Sequence, residues 1–167
     1  MQSLWKRLSD LTVTKRMKMP SGQVINNNRL VTVTTAAIIL NADDHGEKPI
    51  VLDRAAGVAV TLPKSTGSGV TFEILVGTTI TSLTSTIKVD NATDVMAGFA
   101  VQSQDAGATL QMFETAASSD TITFDGSSTG GLIGDRVELL DMKAGFWAVR
   151  VMSAGTGSEA TPFSATV

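Results

Sequence analysis

Cysteine is absent from the 167-residue chain, and this absence excludes several kinds of chemistry. A chain without cysteine has no disulfide bond, no thiol nucleophile and no thiolate ligand for a metal ion. Tyrosine is also absent, and charged residues make up only 17% of the sequence. Small and β-branched residues dominate instead, a composition that is typical of all-β modules within larger assemblies.

Long apolar runs are also missing. No stretch approaches the eighteen or so consecutive apolar residues that a membrane-spanning helix needs, and the positively charged N-terminus lacks the apolar core of a signal peptide. We therefore expect no membrane partner. The length fits one domain with its own core, and a hydrophobic content of 43% predicts a folded chain.

Charge is divided unevenly along the chain. Residues 1–30 hold six basic residues and one acidic residue, whereas the remaining 137 residues hold seven basic and fifteen acidic residues. A basic segment joined to an acidic body is expected to meet an acidic surface. That surface could belong to nucleic acid, to an acidic protein lattice or to the body of the protein itself.

Strand patterns recur along the body. Residues 50–76 predict three short strands, because apolar residues alternate with polar ones between turn clusters. In the last predicted strand, Trp147, Val149 and Val151 form the expected core face. Gly98 is predicted to mark a bulge or a close contact within another strand. Turn signals recur without a strong amphipathic helix in the body, which predicts an all-β fold: a β-sandwich, jelly-roll-like or barrel domain.

The predicted organisation is an extended basic N-terminal arm, residues 1–28, and an all-β body, residues 29–167. The body ends in an extended tail with Phe163 as its anchor, and residues 125–131 are expected to form a flexible tip. Within the arm, Leu4, Leu8 and Leu11 have helical spacing, so it contains at most a short helix. This helix could pack on its own domain, on a neighbouring subunit or on a membrane surface.

Two polar clusters could carry chemistry. His45 lies among Asp43, Asp44 and Glu47, where a metal site, an acid–base pair or a solvated loop is conceivable, and we favour the loop. Residues 90–94 offer oxygen ligands for calcium but lack EF-hand spacing, so we expect a structural turn. No nucleophile elbow or phosphate loop occurs. We predict no catalytic residue, metal or cofactor and no enzyme activity, although hydrolysis of polysaccharide by a carboxylate pair stays open.

Several pieces of the body resemble a family of small structural proteins of tailed bacteriophages. They are PIVLDRAAGVAVTLPKSTGSGVTFEILVGTTIT, KVDNATDVMAGFAVQSQDAG, FETAASSDTITFDGSSTGGLIGDRVELLD and GFWAVRVMSAGTGSEATPFSAT. The pieces recur in the family's order, and LDRAAGVAVTLP and GTGSEATPFS stand nearly whole. The resemblance covers about residues 48–167 and leaves the arm outside.

The resemblance implies a decoration (cement) protein on the capsid exterior that reinforces neighbouring capsomers. The expected location is the virion surface after synthesis in the host bacterial cytoplasm. The expected partners are the major capsid protein lattice and further copies of the chain, as a homo-oligomer that we predict to be a trimer; nucleic acid is not expected. The alternative is a head-fibre or tail-associated module that binds a receptor or glycan through residues 103–108 and 125–131.

The arm is predicted to make the capsid contact, on the evidence of the charge division rather than of the resemblance. Its apolar anchors and its basic residues form the candidate binding set, which is Leu4, Trp5, Lys6, Arg7, Leu8, Leu11, Lys15, Arg16 and Lys18.

Overall fold

The computed structural model describes residues 30–105 and 109–167, together with the backbone of two short N-terminal strands. These two strands, β1 (Arg16–Lys18) and β2 (Val24–Asn26), pair in an antiparallel manner. The single helix of the described residues, α1 (Ala42–His45), is one turn long. This part of the chain therefore contains no helix that could span a membrane.

Twelve further strands build the body, and the prediction of an all-β domain is confirmed. The strands are β3 (Val31–Val33), β4 (Ala37–Ile39), β5 (Pro49–Leu52), β6 (Ala59–Thr61), β7 (Thr71–Val76), β8 (Ser85–Lys88), β9 (Val95–Gln104), β10 (Leu110–Glu114), β11 (Thr121–Phe124), β12 (Arg136–Lys143), β13 (Phe146–Gly155) and β14 (Phe163–Ser164). The three strands predicted within residues 50–76 correspond to β5, β6 and β7.

Two sheets face each other across the core. The larger has seven strands in the order β10-β9-β13-β12-β7-β5-β3, and the smaller has five in the order β14-β11-β8-β6-β4. From β3 to β8 the chain alternates between the two sheets, so that β3, β5 and β7 are parallel neighbours in one and β4, β6 and β8 in the other. In the first half of the body the chain therefore winds from one sheet to the other, as in a short β-solenoid. Later strands extend both sheets, mostly by antiparallel pairing.

The core lies between the sheets and is built from the inward side chains of both. Trp147 is fully buried and packs on Phe72, with ring centroids 5.8 Å apart. Val149 and Val151 are buried beside it on β13, which confirms the predicted core face. In β9 the inward residues include Met96 and Ala100, so the apolar residues that alternate with them point outward.

Gly98 brings β9 close to β13. A Cβ atom at this position would lie 1.8 Å from the carbonyl oxygen of Val149, well inside van der Waals contact. The two strands pair in parallel over ten residues, and at this position only glycine, which has no Cβ atom, fits against the neighbouring strand. The close contact predicted at Gly98 is confirmed.

Candidate interaction surface

The outer face of the seven-stranded sheet, which we call the outer face, points away from the core. The strand registers place Glu73 beside Glu138, Glu138 beside Arg150, and Arg150 beside Phe99. Side chains at directly paired positions share one face of a sheet. These four residues therefore form a row across β7, β12, β13 and β9.

The charged residues of this face are unequally paired. The Arg136 guanidinium lies 3.0 Å from a carboxylate oxygen of Glu73 and 3.7 Å from one of Glu138. Ion pairs this exposed contribute little to stability, because water screens them. Arg150 has no ion pair with any residue that the structure describes. Its guanidinium is therefore available to an acidic group of a partner.

A groove of about 570 Å³ crosses the outer face between β7 and β9. The small side chains of Ala97 and Ala148 are neighbours in the sheet and leave space beside Leu140, which pairs with Ala148, and beside Phe99, two residues further along β9. The groove is thus a consequence of two alanines on paired strands. It offers a partner an apolar floor with charged groups at one end.

Five large apolar side chains are exposed on this face. The exposed fraction is 39% for Phe99, 38% for Leu140 and 47% for Met152, and it reaches 67% for both Leu110 and Met112 on β10. A contiguous exposed apolar surface marks an interaction site more reliably than scattered apolar residues do. The outer face is therefore the candidate interaction surface of the described residues.

Asp141 anchors one end of the sheet by binding the loop between β6 and β7. Its buried carboxylate accepts hydrogen bonds from the hydroxyl of Ser65 at 2.7 Å, from the backbone N–H of Gly67 at 2.8 Å and from the backbone N–H of Ser68 at 2.9 Å. Thr66 and the Ser68 hydroxyl add further donors. Burial alone would raise the pKa of Asp141, but these donors outweigh it and hold the pKa well below its usual range.

Residues 125–131 are a hydrogen-bonded turn, so the prediction of a flexible tip is wrong. Asp125 accepts from the backbone N–H groups of Ser127 and Thr129 and from the hydroxyl of Ser128. Burial alone would raise the pKa of Asp125, but these hydrogen bonds outweigh it and lower the pKa to about 2. Glycine-rich composition suggested mobility, but the two buried glycines at the end of this turn serve tight packing.

Asp135 closes the same turn from the other side. It accepts from the backbone N–H groups of Gly131 at 2.7 Å, of Leu132 at 3.0 Å and of Ala154 at 2.9 Å. Burial raises the pKa of this carboxyl, despite the three N–H donors that favour its charged form. The carboxyl thereby links the turn to β13.

The C-terminal tail is attached by Asp120 and by the predicted anchor. Phe163 is buried, and β14 pairs with β11. Asp120 accepts from the backbone N–H groups of Thr166 at 2.9 Å and Val167 at 3.2 Å. Burial would raise the pKa of Asp120, and these bonds together with the Thr121 hydroxyl lower it.

The two polar clusters singled out in the sequence form local turns. Asn41 caps α1 by accepting from the N–H of Asp44 at 2.7 Å, and His45 Nδ1 accepts from the N–H of Asn41 at 3.1 Å. In the second cluster, Asn91 accepts from the N–H of Asp94, whose carboxylate accepts from the N–H of Ser65. The described residues contain no group of three or more His, Asp or Glu side chains placed to hold a metal ion.

The candidate binding set of the arm lies outside the residues whose side chains the structure describes. Arg16 and Lys18 fall on the backbone of β1. The outer face, in contrast, was not singled out by sequence reasoning. Its signal was present in β13, where the apolar Met152 follows the buried Val151 and lies with Arg150 on the opposite face of the strand.

Comparisons of the chain with protein-family models, with curated proteins and with solved structures found no match.

Proposed function

We propose that this protein is a non-enzymatic structural component of a tailed-bacteriophage virion, which decorates the capsid exterior and bridges neighbouring capsomers. The observation that carries the proposal is the outer face, where exposed apolar side chains and a row of charged ones form a broad surface on a single small domain. The resemblance of residues 48–167 to phage structural proteins supports the same assignment. The location is then the virion surface, and the major capsid protein lattice is the partner.

Multiple weak contacts give the binding its strength. One small β domain gains little from a single contact, whereas copies held together at a lattice position bind with a high effective concentration. We expect a homo-oligomer for this reason. Bridging follows because each copy can touch a different capsomer.

The arm supplies the electrostatic part of the contact. Residues 1–30 are basic while the rest of the chain is acidic, so the arm is attracted to an acidic lattice that the body alone would avoid. Its apolar residues Leu4, Trp5, Leu8 and Leu11 would bury surface on the lattice, at the cost of ordering the segment.

The test is capsid occupancy with and without the arm. Purified capsids that lack the protein are incubated with the full chain, with a chain lacking residues 1–20, and with a full-length chain in which Lys6, Arg7, Lys15, Arg16 and Lys18 are changed to Gln. We expect both variants to lose most of their occupancy. Unchanged occupancy would remove the arm from the mechanism, and absence of binding by the full chain would refute the capsid proposal.

A second candidate function is a receptor- or glycan-binding module, which the groove favours. Phe99 offers one aromatic ring beside Arg150 and Glu138, and sugar rings stack on aromatic side chains while their hydroxyls bind charged groups. A glycan array with the full chain and with Phe99→Ala tests it. Binding that disappears in the variant would favour this function over decoration.

A further inference from the structure

The edge strand β10 differs from the other edges of the two sheets. Among the described residues, the remaining edge strands β3, β4 and β14 have only two or three residues each, whereas β10 has five. Short edge strands, lysine and proline are the usual protection against edge-to-edge pairing. The sequence of β10, LQMFE, contains neither lysine nor proline.

The register of β10 shows which backbone groups face its open side. Thr115 donates its N–H to the carbonyl of Gly98, and Thr109 accepts from the N–H of Gln104. In an antiparallel pair these bonded positions alternate with positions whose backbone groups point away. The N–H and C=O groups of Leu110, Met112 and Glu114 therefore point to the open edge.

The same three residues present their side chains on the outer face. They pair with Ser103, Val101 and Phe99 of β9, which alternate with the buried residues of that strand. Leu110 and Met112 are each 67% exposed, the highest exposed fraction among the large apolar residues of the outer face. Unpaired backbone and exposed apolar side chains thus coincide on one strand.

We propose that β10 pairs with β10 of a second copy of this chain, in an antiparallel manner about a two-fold axis at Met112. Three positions of each strand face the partner, which allows about six N–H···O bonds. Met112 would lie opposite Met112 of the second copy, and Leu110 opposite Glu114. The pairing is self-complementary, as a two-fold interface requires.

Charge does not oppose a second copy as the occupant. Glu114 is the one charged residue of β10, and two-fold pairing places the two Glu114 carboxylates at opposite ends of the interface, about 14 Å apart along the strands. Each carboxylate meets an apolar side chain rather than a like charge. A register shift toward Glu114 would bring the carboxylates together and is disfavoured.

This inference specifies the self-association invoked in the proposed function but is independent of capsid binding. Pairing joins the outer faces of two copies into one continuous surface. It predicts an even number of copies, in contrast to the simple trimer predicted from the resemblance. The solution mass distinguishes the two without any capsid.

The first experiment measures the mass of the full chain by sedimentation and by light scattering after gel filtration. We expect two copies of the 17.4 kDa chain, or an even multiple that falls to half its mass when β10 is altered. A monomer at all concentrations, or an assembly of three copies, would overturn the proposal.

Variants then test the edge itself. Met112→Pro removes an N–H that points to the open side and leaves the bonds to β9 in place. Met112→Lys adds a charge opposite its own copy. We expect each variant to raise the dissociation constant for self-association by about tenfold or more. The control Ile133→Lys, at a loop position that is 70% exposed, should leave the solution mass unchanged. Thermal unfolding confirms that each variant is folded, and an unchanged mass for the folded Met112 variants would refute the pairing.

A cross-link gives the geometric test. The chain has no cysteine, so Met112→Cys introduces a single thiol. Bonded antiparallel positions have Cα atoms about 5.5 Å apart, a separation that a disulfide spans. Mild oxidation should yield a covalent dimer of this variant much faster than of Ile133→Cys. Equal rates for the two variants would contradict the proposal.

Discussion

Single aspartates fix the loops of this body. Asp141 holds residues 65–68, Asp125 and Asp135 hold the turn between β11 and β12, and Asp120 holds the tail. In each case a carboxylate replaces the partners that backbone N–H groups would find in a sheet. These acidic residues of the body therefore stabilise its loops in addition to giving the body its negative charge.

Asp141→Asn should destabilise the protein. An amide replaces one acceptor oxygen with a donor that faces the N–H groups of residues 66–68, so donors meet donors. We expect a loss of about 2–4 kcal/mol in the free energy of unfolding, measured by urea denaturation. The control is Asp90→Asn, at an exposed turn position. Equal stability of the two variants would show that the Asp141 bonds contribute little.

Acid should destabilise the protein through the same carboxylates. The pKa values of Asp120, Asp125 and Asp141 lie below their ordinary value of 3.8 in the folded state. Their stabilisation is thus present above that value and is lost as the pH falls through the lowered pKa values.

The urea midpoint should therefore stay level near neutral pH and fall between about pH 4 and pH 2. Asp141→Asn should fall less steeply, because one titrating group is gone. The opposite pattern, with higher stability in acid, would show that the raised pKa of Asp135 dominates.

At the scale of elements, strand existence could be predicted and strand pairing could not. The alternation in residues 50–76 predicted β5, β6 and β7, because burial of one face leaves a two-residue period. The parallel pairing of these strands leaves no comparable local signal, since β5 pairs with β3 and β7 rather than with its chain neighbours β4 and β6. The glycine-rich composition of residues 125–131 predicted a flexible tip, whereas the glycines there allow close packing of a hydrogen-bonded turn.

Gly98→Ala should test the closest approach between strands. The added methyl group would clash with the backbone carbonyl of Val149, which the parallel ladder holds in place. We expect a loss of about 3 kcal/mol in the free energy of unfolding. The control Ala97→Val adds bulk to the neighbouring residue, whose side chain is exposed on the outer face. A tolerated Gly98→Ala would mean that β9 can move away from β13 at little cost.

At the scale of the whole molecule, the candidate surfaces differ in how far sequence could predict them. The arm was visible as a charge imbalance, which needs only counting. The outer face depends on which residues of four strands share one side, and the order β9-β13-β12-β7 brings together segments far apart in the chain. Such a surface could be recognised only once the strand order was known.

Salt should separate the electrostatic contact of the arm from apolar contacts of the body. The screening length falls from more than 10 Å to less than 5 Å between roughly 0.05 M and 0.5 M NaCl. If the five basic residues of the arm bind an acidic lattice, the apparent Kd for capsids should rise about tenfold or more over this range. The variant with these five residues changed to Gln should bind weakly and respond little to salt. As a control, the variant with the exposed body residues Lys64 and Lys88 changed to Gln should show the same salt dependence as the unaltered chain. Tight binding of the unaltered chain that does not change with salt would assign the contact to the outer face instead.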